Sequence, residues 1–119
     1  MIIRLLPSIL ILAMVIFCCE DDKIKQHKIR YEVRASPGEG LLKVSYSTPS
    51  GLEEVDITLD NAGIWSSLEY IFHTGDFIRL TLINCGGKVN CRGFIYMDDN
   101  EDEVKDCNGE GDSCPYMVP

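Results

Sequence analysis

From Ile29 onward apolar and polar residues alternate with a period of two, and no other feature limits the fold so strongly. Tyr31, Val33 and Ala35 interleave with Arg30, Glu32 and Arg34. Leu42, Val44 and Tyr46 interleave with Lys43, Ser45 and Ser47, and Val55, Ile57 and Leu59 with Glu54, Asp56 and Thr58. A strand sends successive side chains to opposite faces, so each run reads as a strand with one buried and one wet face. Ser36-Pro37-Gly38 and Pro49-Ser50-Gly51 supply the turns. A run from Ser67 to His73 sets Leu68, Tyr70 and Phe72 on one side. Thr74-Gly75-Asp76 then turns the chain, and Ile78, Leu80 and Leu82 face away from Arg79 and Thr81. Arg92 to Met97 is apolar on both faces and has no readable orientation; a short strand around Val104 follows the acidic turn Asp98 to Asp102. No window carries a helical stripe. About seven short strands separated by turns predict an all-β fold, an antiparallel β-sandwich over residues 29–119. Trp65 is expected to pack between the sheets rather than to serve as an exposed contact for a sugar or protein.

Ahead of this domain stands a different kind of sequence. Met1-Ile2-Ile3-Arg4 precedes Leu5-Leu6-Pro7-Ser8 and an apolar run from Ile9 to Phe17. One positive charge, a short apolar run and then cysteine is the layout of a secretory signal. A spanning helix needs roughly 20 apolar residues, and Leu5 to Phe17 falls short, which makes an uncleaved anchor the weaker alternative. The stretch Ile16-Phe17-Cys18-Cys19 resembles a loose bacterial lipobox, with a branched aliphatic residue three before the modified cysteine and a small residue just before it. The resemblance implies cleavage after Cys18 and a diacylated (palmitate-type) Cys19 at the start of the mature chain. A redox pair is disfavoured, because adjacent cysteines rarely bridge.

The acids Glu20, Asp21 and Asp22 follow at once. They read either as a solvated tether or, by their resemblance to Bacteroidetes-type lipoproteins, as a signal for transport to the cell surface. The expected organisation is a signal peptide at 1–18, an acidic tether at 19–28 and the sandwich at 29–119, lipid-anchored at the outer membrane. The chain carries 11 basic and 19 acidic residues for a net charge of −8; removing residues 1–18 takes away only Arg4 and leaves 10 − 19 = −9. That balance argues against nucleic acid, whose phosphates need Lys and Arg, and against electrostatic attachment to anionic headgroups.

Cys85, Cys91, Cys107 and Cys114 remain. An even number in a small exported domain reads as two disulfides with three possible connectivities. The spacings suggest local pairs, Cys85 with Cys91 and Cys107 with Cys114. Structural zinc prefers gaps of two to four residues within a Cys pair, and the gaps here are longer. The segment from Asp106 to Asp112 sets Asp106, Asn108, Glu110 and Asp112 at alternate positions with Gly111 sixth, like the opening of a calcium loop. Cys114 and Met117 then stand where the ninth and twelfth ligands belong, so a solvated acidic turn is the stronger reading and a calcium- or carbohydrate-binding module the alternative. His27 falls in the tether. His73 lies near Glu69 and Asp76, but a surface histidine beside a turn is far commoner than a catalytic one. Neither a Gly-x-Ser-x-Gly elbow nor a phosphate-binding glycine loop occurs. A non-catalytic protein without a cofactor is expected.

The order "YEVRA…VSYSTPSG…WSSLEYIFHTGDFIRLTLIN…RGFIYMDD" resembles the MmpS family of mycobacteria and its Bacteroidetes lipoprotein relatives over roughly residues 29–119. The shared features are Tyr31-x-Val33, Val44-x-Tyr46, Trp65-Ser66, Gly75-Asp76-Phe77 and Ile95-Tyr96-x-Asp98. Ile64 stands where the family usually shows proline, and the four cysteines are not a general family feature. The resemblance implies an Ig-like β-sandwich held at a membrane, acting beside an envelope or transporter protein. Mycobacterial members keep a membrane helix where this chain looks lipidated. Because fold alone does not fix function, the transporter partnership is an expectation from likeness only.

Overall fold

A computed structural model describes residues 25–36, 40–87 and 90–119. The expected signal peptide, the lipidation site Cys19, the acidic residues of the tether and the turn at Pro37-Gly38 lie outside those residues. Nine strands follow one another: β1 (Gln26–Ser36), β2 (Gly40–Thr48), β3 (Gly51–Leu59), β4 (Ile64–Ser66), β5 (Tyr70–His73), β6 (Phe77–Asn84), β7 (Asn90–Met97), β8 (Lys105–Cys107) and β9 (Ser113–Met117). They form two antiparallel sheets packed face to face, a β-sandwich as the alternation predicts. The first sheet runs β4-β1-β7-β8, with β5 also on β1; the second runs β3-β2-β6-β9. The second sheet repeats the C′-C-F-G order of a variable-type immunoglobulin sandwich, and β1 with β4 and β5 takes the places of strands B and E. On the other side of β1 the pair β7–β8 enters from between β6 and β9.

The strand β1 starts at Gln26, three residues earlier than the alternation suggested. Gln26 to Ile29 pairs with β5 (His73 to Tyr70), so residues expected in the tether are ladder residues instead. The run from Ser67 to His73 is not one strand. Between β4 and β5 the Ser67 hydroxyl accepts a hydrogen bond from the Tyr31 N–H at 2.9 Å, while the Ser67 N–H donates to the Tyr31 carbonyl at 2.8 Å. A side chain thus replaces a ladder partner and the next residue swings out. Leu68, expected in the core, is 76% exposed.

The remaining inward positions fill the space between the sheets. Ile29, Tyr31 and Val33 of β1, Val44 of β2, Ile78, Leu80 and Leu82 of β6 and Ile95 of β7 are fully buried. Trp65 is half-buried against this core, its ring 5.8 Å from that of Tyr46. Both cysteine pairs are disulfides, Cys85–Cys91 and Cys107–Cys114. Each links a residue at or beside a second-sheet strand (β6, β9) to one on the first sheet (β7, β8), so both staple sheet to sheet. A Cβ on Gly93 would lie 2.7 Å from Leu80 Cδ2 and 3.5 Å from the Cβ of Cys107. That inward position of β7 is kept empty so that the Cys107–Cys114 bridge and Leu80 fit.

The strand directions divide the molecule into two ends. One holds the start of β1, the turns at 49–50 and 74–76, the loop after Met97, and the C-terminus. There the Thr74 N–H donates to the Lys25 carbonyl at 2.8 Å, and the N–H groups of Gly75 and Val118 donate to the carbonyls of Val118 and Asp76. The other end holds the loop at 60–63, the Cys85–Cys91 disulfide and the loop at 108–112, with Cys107–Cys114 level with Leu80 in mid-sandwich.

Candidate binding surface

On β7 the positions of Cys91, Gly93 and Ile95 face inward, which puts Phe94 and Tyr96 on the outer face. Both are nonetheless buried. Their cover comes from β1, whose register sets Arg30 opposite Tyr96, Glu32 opposite Phe94 and Arg34 opposite Arg92. The Arg30 guanidinium lies 4.3 Å from the Tyr96 ring centroid, and those of Arg34 and Arg92 lie 4.9 and 5.4 Å from that of Phe94. Flat guanidinium groups over aromatic faces combine charge–quadrupole attraction with removal of apolar surface from water.

Glu32 ties the layer together. Its carboxylate accepts hydrogen bonds from Arg34 Nε at 2.6 Å, Tyr96 Oη at 3.2 Å, and Arg30 Nη1 and Ser66 Oγ at 3.3 Å each. Burial disfavours the charged form of Glu32, but the hydrogen bond and charge of Arg34, with Tyr96 and Arg30 behind them, prevail and hold the carboxyl below its usual range. The same contacts push Arg34 up, chiefly through its bond to Glu32, whereas burial and then the Glu32 charge push the Tyr96 hydroxyl up. Arg92 Nη2 donates to Asp106 Oδ2 at 2.7 Å. The three arginines face Glu32 and Asp106, and Glu103 also acts on Arg34 and Tyr96, so three acids stand against them. Beside the layer a shallow cleft of 330 Å³ is lined by Arg34, Ser36, Ile64, Asn90, Arg92 and Phe94, among others. The surface offers fixed donors and half-exposed guanidiniums rather than a nucleophile or a proton-transfer pair. Arginine and aromatic residues held rigid in this way are the composition of protein-binding surfaces.

The residues singled out in the sequence are placed differently. Asp106 pairs with Arg92. Glu110 Oε1 accepts from the Cys85 N–H, and Asp112 Oδ2 from the Asn108 N–H, each at 2.8 Å. The oxygens that the spacing aligned are turned to separate partners, and among the described residues no three His, Cys, Asp or Glu side chains converge as a metal site. Asn108 and Glu110, but neither Asp106 nor Asp112, line a polar cleft of 480 Å³ beside the Cys85–Cys91 bridge, together with Asn90 and Arg92. His73 and Asp76 stand 3.9 Å apart, both about half exposed. Glu69 does not join them; it lines another cleft with Lys28 and Tyr96.

Two features escaped the sequence reading. His27, expected in the tether, is in β1 with Nδ1 2.5 Å from Asp98 Oδ2. Asp98 and Asp99 both have positive φ (55° and 59°), the backbone of a type I′ turn. That conformation aims the Asp98 carboxylate back at His27 and at the Lys28 N–H. The arginine–aromatic layer was the other. The signal that pointed to it was the two-faced apolarity of Arg92 to Met97, since an apolar outer face needs cover and β1 supplies it. No family model, curated protein or solved structure matches this chain.

Proposed function

We propose that this chain is a non-catalytic, membrane-anchored lipoprotein of MmpS-like type that works by binding, as an assembly or transport-accessory component of the cell envelope. The anchor is a diacylated Cys19 on the outer membrane, and the acids behind it serve as tether and surface-export signal. The observation that carries the binding role is the layer of Arg30, Arg34 and Arg92 over Phe94 and Tyr96, fixed by Glu32. Its side-chain entropy is already spent within the free domain, which lowers the cost of docking a partner there.

A photo-crosslinking residue in place of Arg92, on the rim of the layer, tests this in membranes. The expected result is a discrete adduct that disappears when Arg34→Glu is added. An adduct from the same probe at Glu54, on the outer face of the second sheet, with none from position 92, would place binding elsewhere and sink the reading.

A further inference from the structure

Six large apolar side chains are exposed among the described residues: Leu41, Leu52, Leu68, Ile71, Phe77 and Met117. Leu41 lies toward the disulfide end, where its carbonyl abuts Gly86. Leu52, Ile71 and Phe77 line an open cleft of 540 Å³ at the opposite end, between the turn at 49–50 and the turn at 74–76, and Met117 stands beside Phe77 on the next strand. Phe77 and Met117 are register partners on β6 and β9, each 62% exposed. Single exposed apolar residues need no explanation, but a contiguous rim of them does.

The chain enters the sandwich at this same end, for Lys25 is hydrogen-bonded to Thr74 beside the rim. Lys25 lies six residue steps after Cys19, a stretch that spans at most about 20 Å when fully extended. An acyl chain on Cys19 therefore keeps Lys25, and with it the Thr74 turn, within about 20 Å of the bilayer. We propose that the rim of Leu52, Ile71, Phe77 and Met117 seats on the lipid surface, so that the sandwich stands on its tether end. The inference rests on the anchor reading of Cys19. Apolar side chains enter the headgroup boundary, and Arg79 and Lys25 have aliphatic stems long enough to follow while their charges stay in water. Asp76 lines the cleft itself, and its carboxylate accepts from the His73 N–H at 2.8 Å; the acids of the loop after Met97, Asp98 and Asp99 first, stand at the same end and stay in water beside the apolar contact. With the chain net acidic, the contact is apolar rather than electrostatic, and a zwitterionic bilayer suffices.

The test uses the full lipidated chain in phosphatidylcholine vesicles that contain bromine-labelled acyl chains. Phe77→Trp adds a fluorophore to the rim, Met117→Trp is an independent second position, and Leu41→Trp is the control at the far end. Quenching of both rim tryptophans by the brominated acyl chains, with Leu41→Trp unquenched, is expected. Vesicles that float with protein while the rim tryptophans stay unquenched would overturn the lipid contact and leave the anchor standing. Equal quenching at position 41 would overturn the upright orientation. Failure to float with vesicles would remove anchor and inference together. Quenching absent in vesicles but rim protection present in native membranes would assign the rim to a protein instead.

Discussion

Cys85–Cys91 joins the sheets at one end and Cys107–Cys114 joins them mid-sandwich, level with Leu80 and Tyr46, whereas the half nearer the start of β1 relies on a tyrosine cluster. Tyr31 packs against Tyr46 at 5.1 Å and Tyr70 at 6.5 Å between ring centroids, and its hydroxyl donates across the sandwich to the Ser47 carbonyl at 2.8 Å. The difference fits the proposed seating of one end on lipid. A small domain gains from cross-links where its loops are long and glycine-rich. The tether end is closed instead by its own backbone bonds among Lys25, Thr74, Gly75 and Val118. Such bonds leave apolar side chains free to face outward.

The contrast between the two ends breaks most readily at the bridges. Reduction of both disulfides is expected to cost about 4 kcal/mol, about 2 for each short loop in the chain-entropy account. In denaturant melts this effect exceeds that of deleting any one side-chain hydrogen bond. In hydrogen exchange the loss of protection should begin in β8 and β9 and reach β5 last. Uniform loss would mean that the two halves are not held independently. Next in size is Glu32→Ala, which leaves Arg30, Arg34 and Tyr96 without their shared acceptor. About 2 kcal/mol is expected, with Glu32→Gln recovering part of it, read from the shift in denaturation midpoint. Tyr31→Phe deletes only the bond to Ser47 and should cost about 1 kcal/mol.

Burial, followed by the neighbouring tyrosines, raises the Tyr31 hydroxyl. The unfolded chain therefore releases this proton first, at about pH 10, and stability falls as pH rises beyond that value. Tyr31→Phe should flatten the alkaline limb of the stability curve. The smallest effect lies on the acid side. The His27 hydrogen bond, then the Lys28 N–H, holds the Asp98 carboxyl below its usual range. A lowered folded pKa gives stability that is complete above the unfolded value of about 4 and lost as pH falls through the folded one. Asp98→Asn should shrink that acid limb slightly, and an unchanged limb would show that Glu32 alone carries it.

Much of this was legible in the residues. Period-two runs placed β1, β2, β3 and β6 and their inward faces, because alternation is a direct image of strand geometry. The pairs Cys85–Cys91 and Cys107–Cys114 followed from spacing. The break between β4 and β5 did not, because it depends on the Ser67 hydroxyl meeting the Tyr31 N–H, and Ser67 to His73 alternates as a strand would. The candidate surface was half legible. Arg30, Glu32 and Arg34 read as an ordinary wet face, and only their register against β7 sets them over Phe94 and Tyr96. The alternate acids from Asp106 to Asp112 had the pattern of a ligand loop, but Asp106 is taken by Arg92, Glu110 by the Cys85 N–H and Asp112 by the Asn108 N–H.

The molecule is polar along its length, with lipid proposed at one end and cross-links in the middle and at the other. Intact mass spectrometry of the chain extracted from membranes reads both at once. The predicted species begins at Cys19, carries a diacylglyceryl group and additional acyl mass there, and has no free thiol among Cys85, Cys91, Cys107 and Cys114. An unmodified chain beginning at Met1 would contradict the anchor, and with it the proposed standing of the sandwich on its tether end.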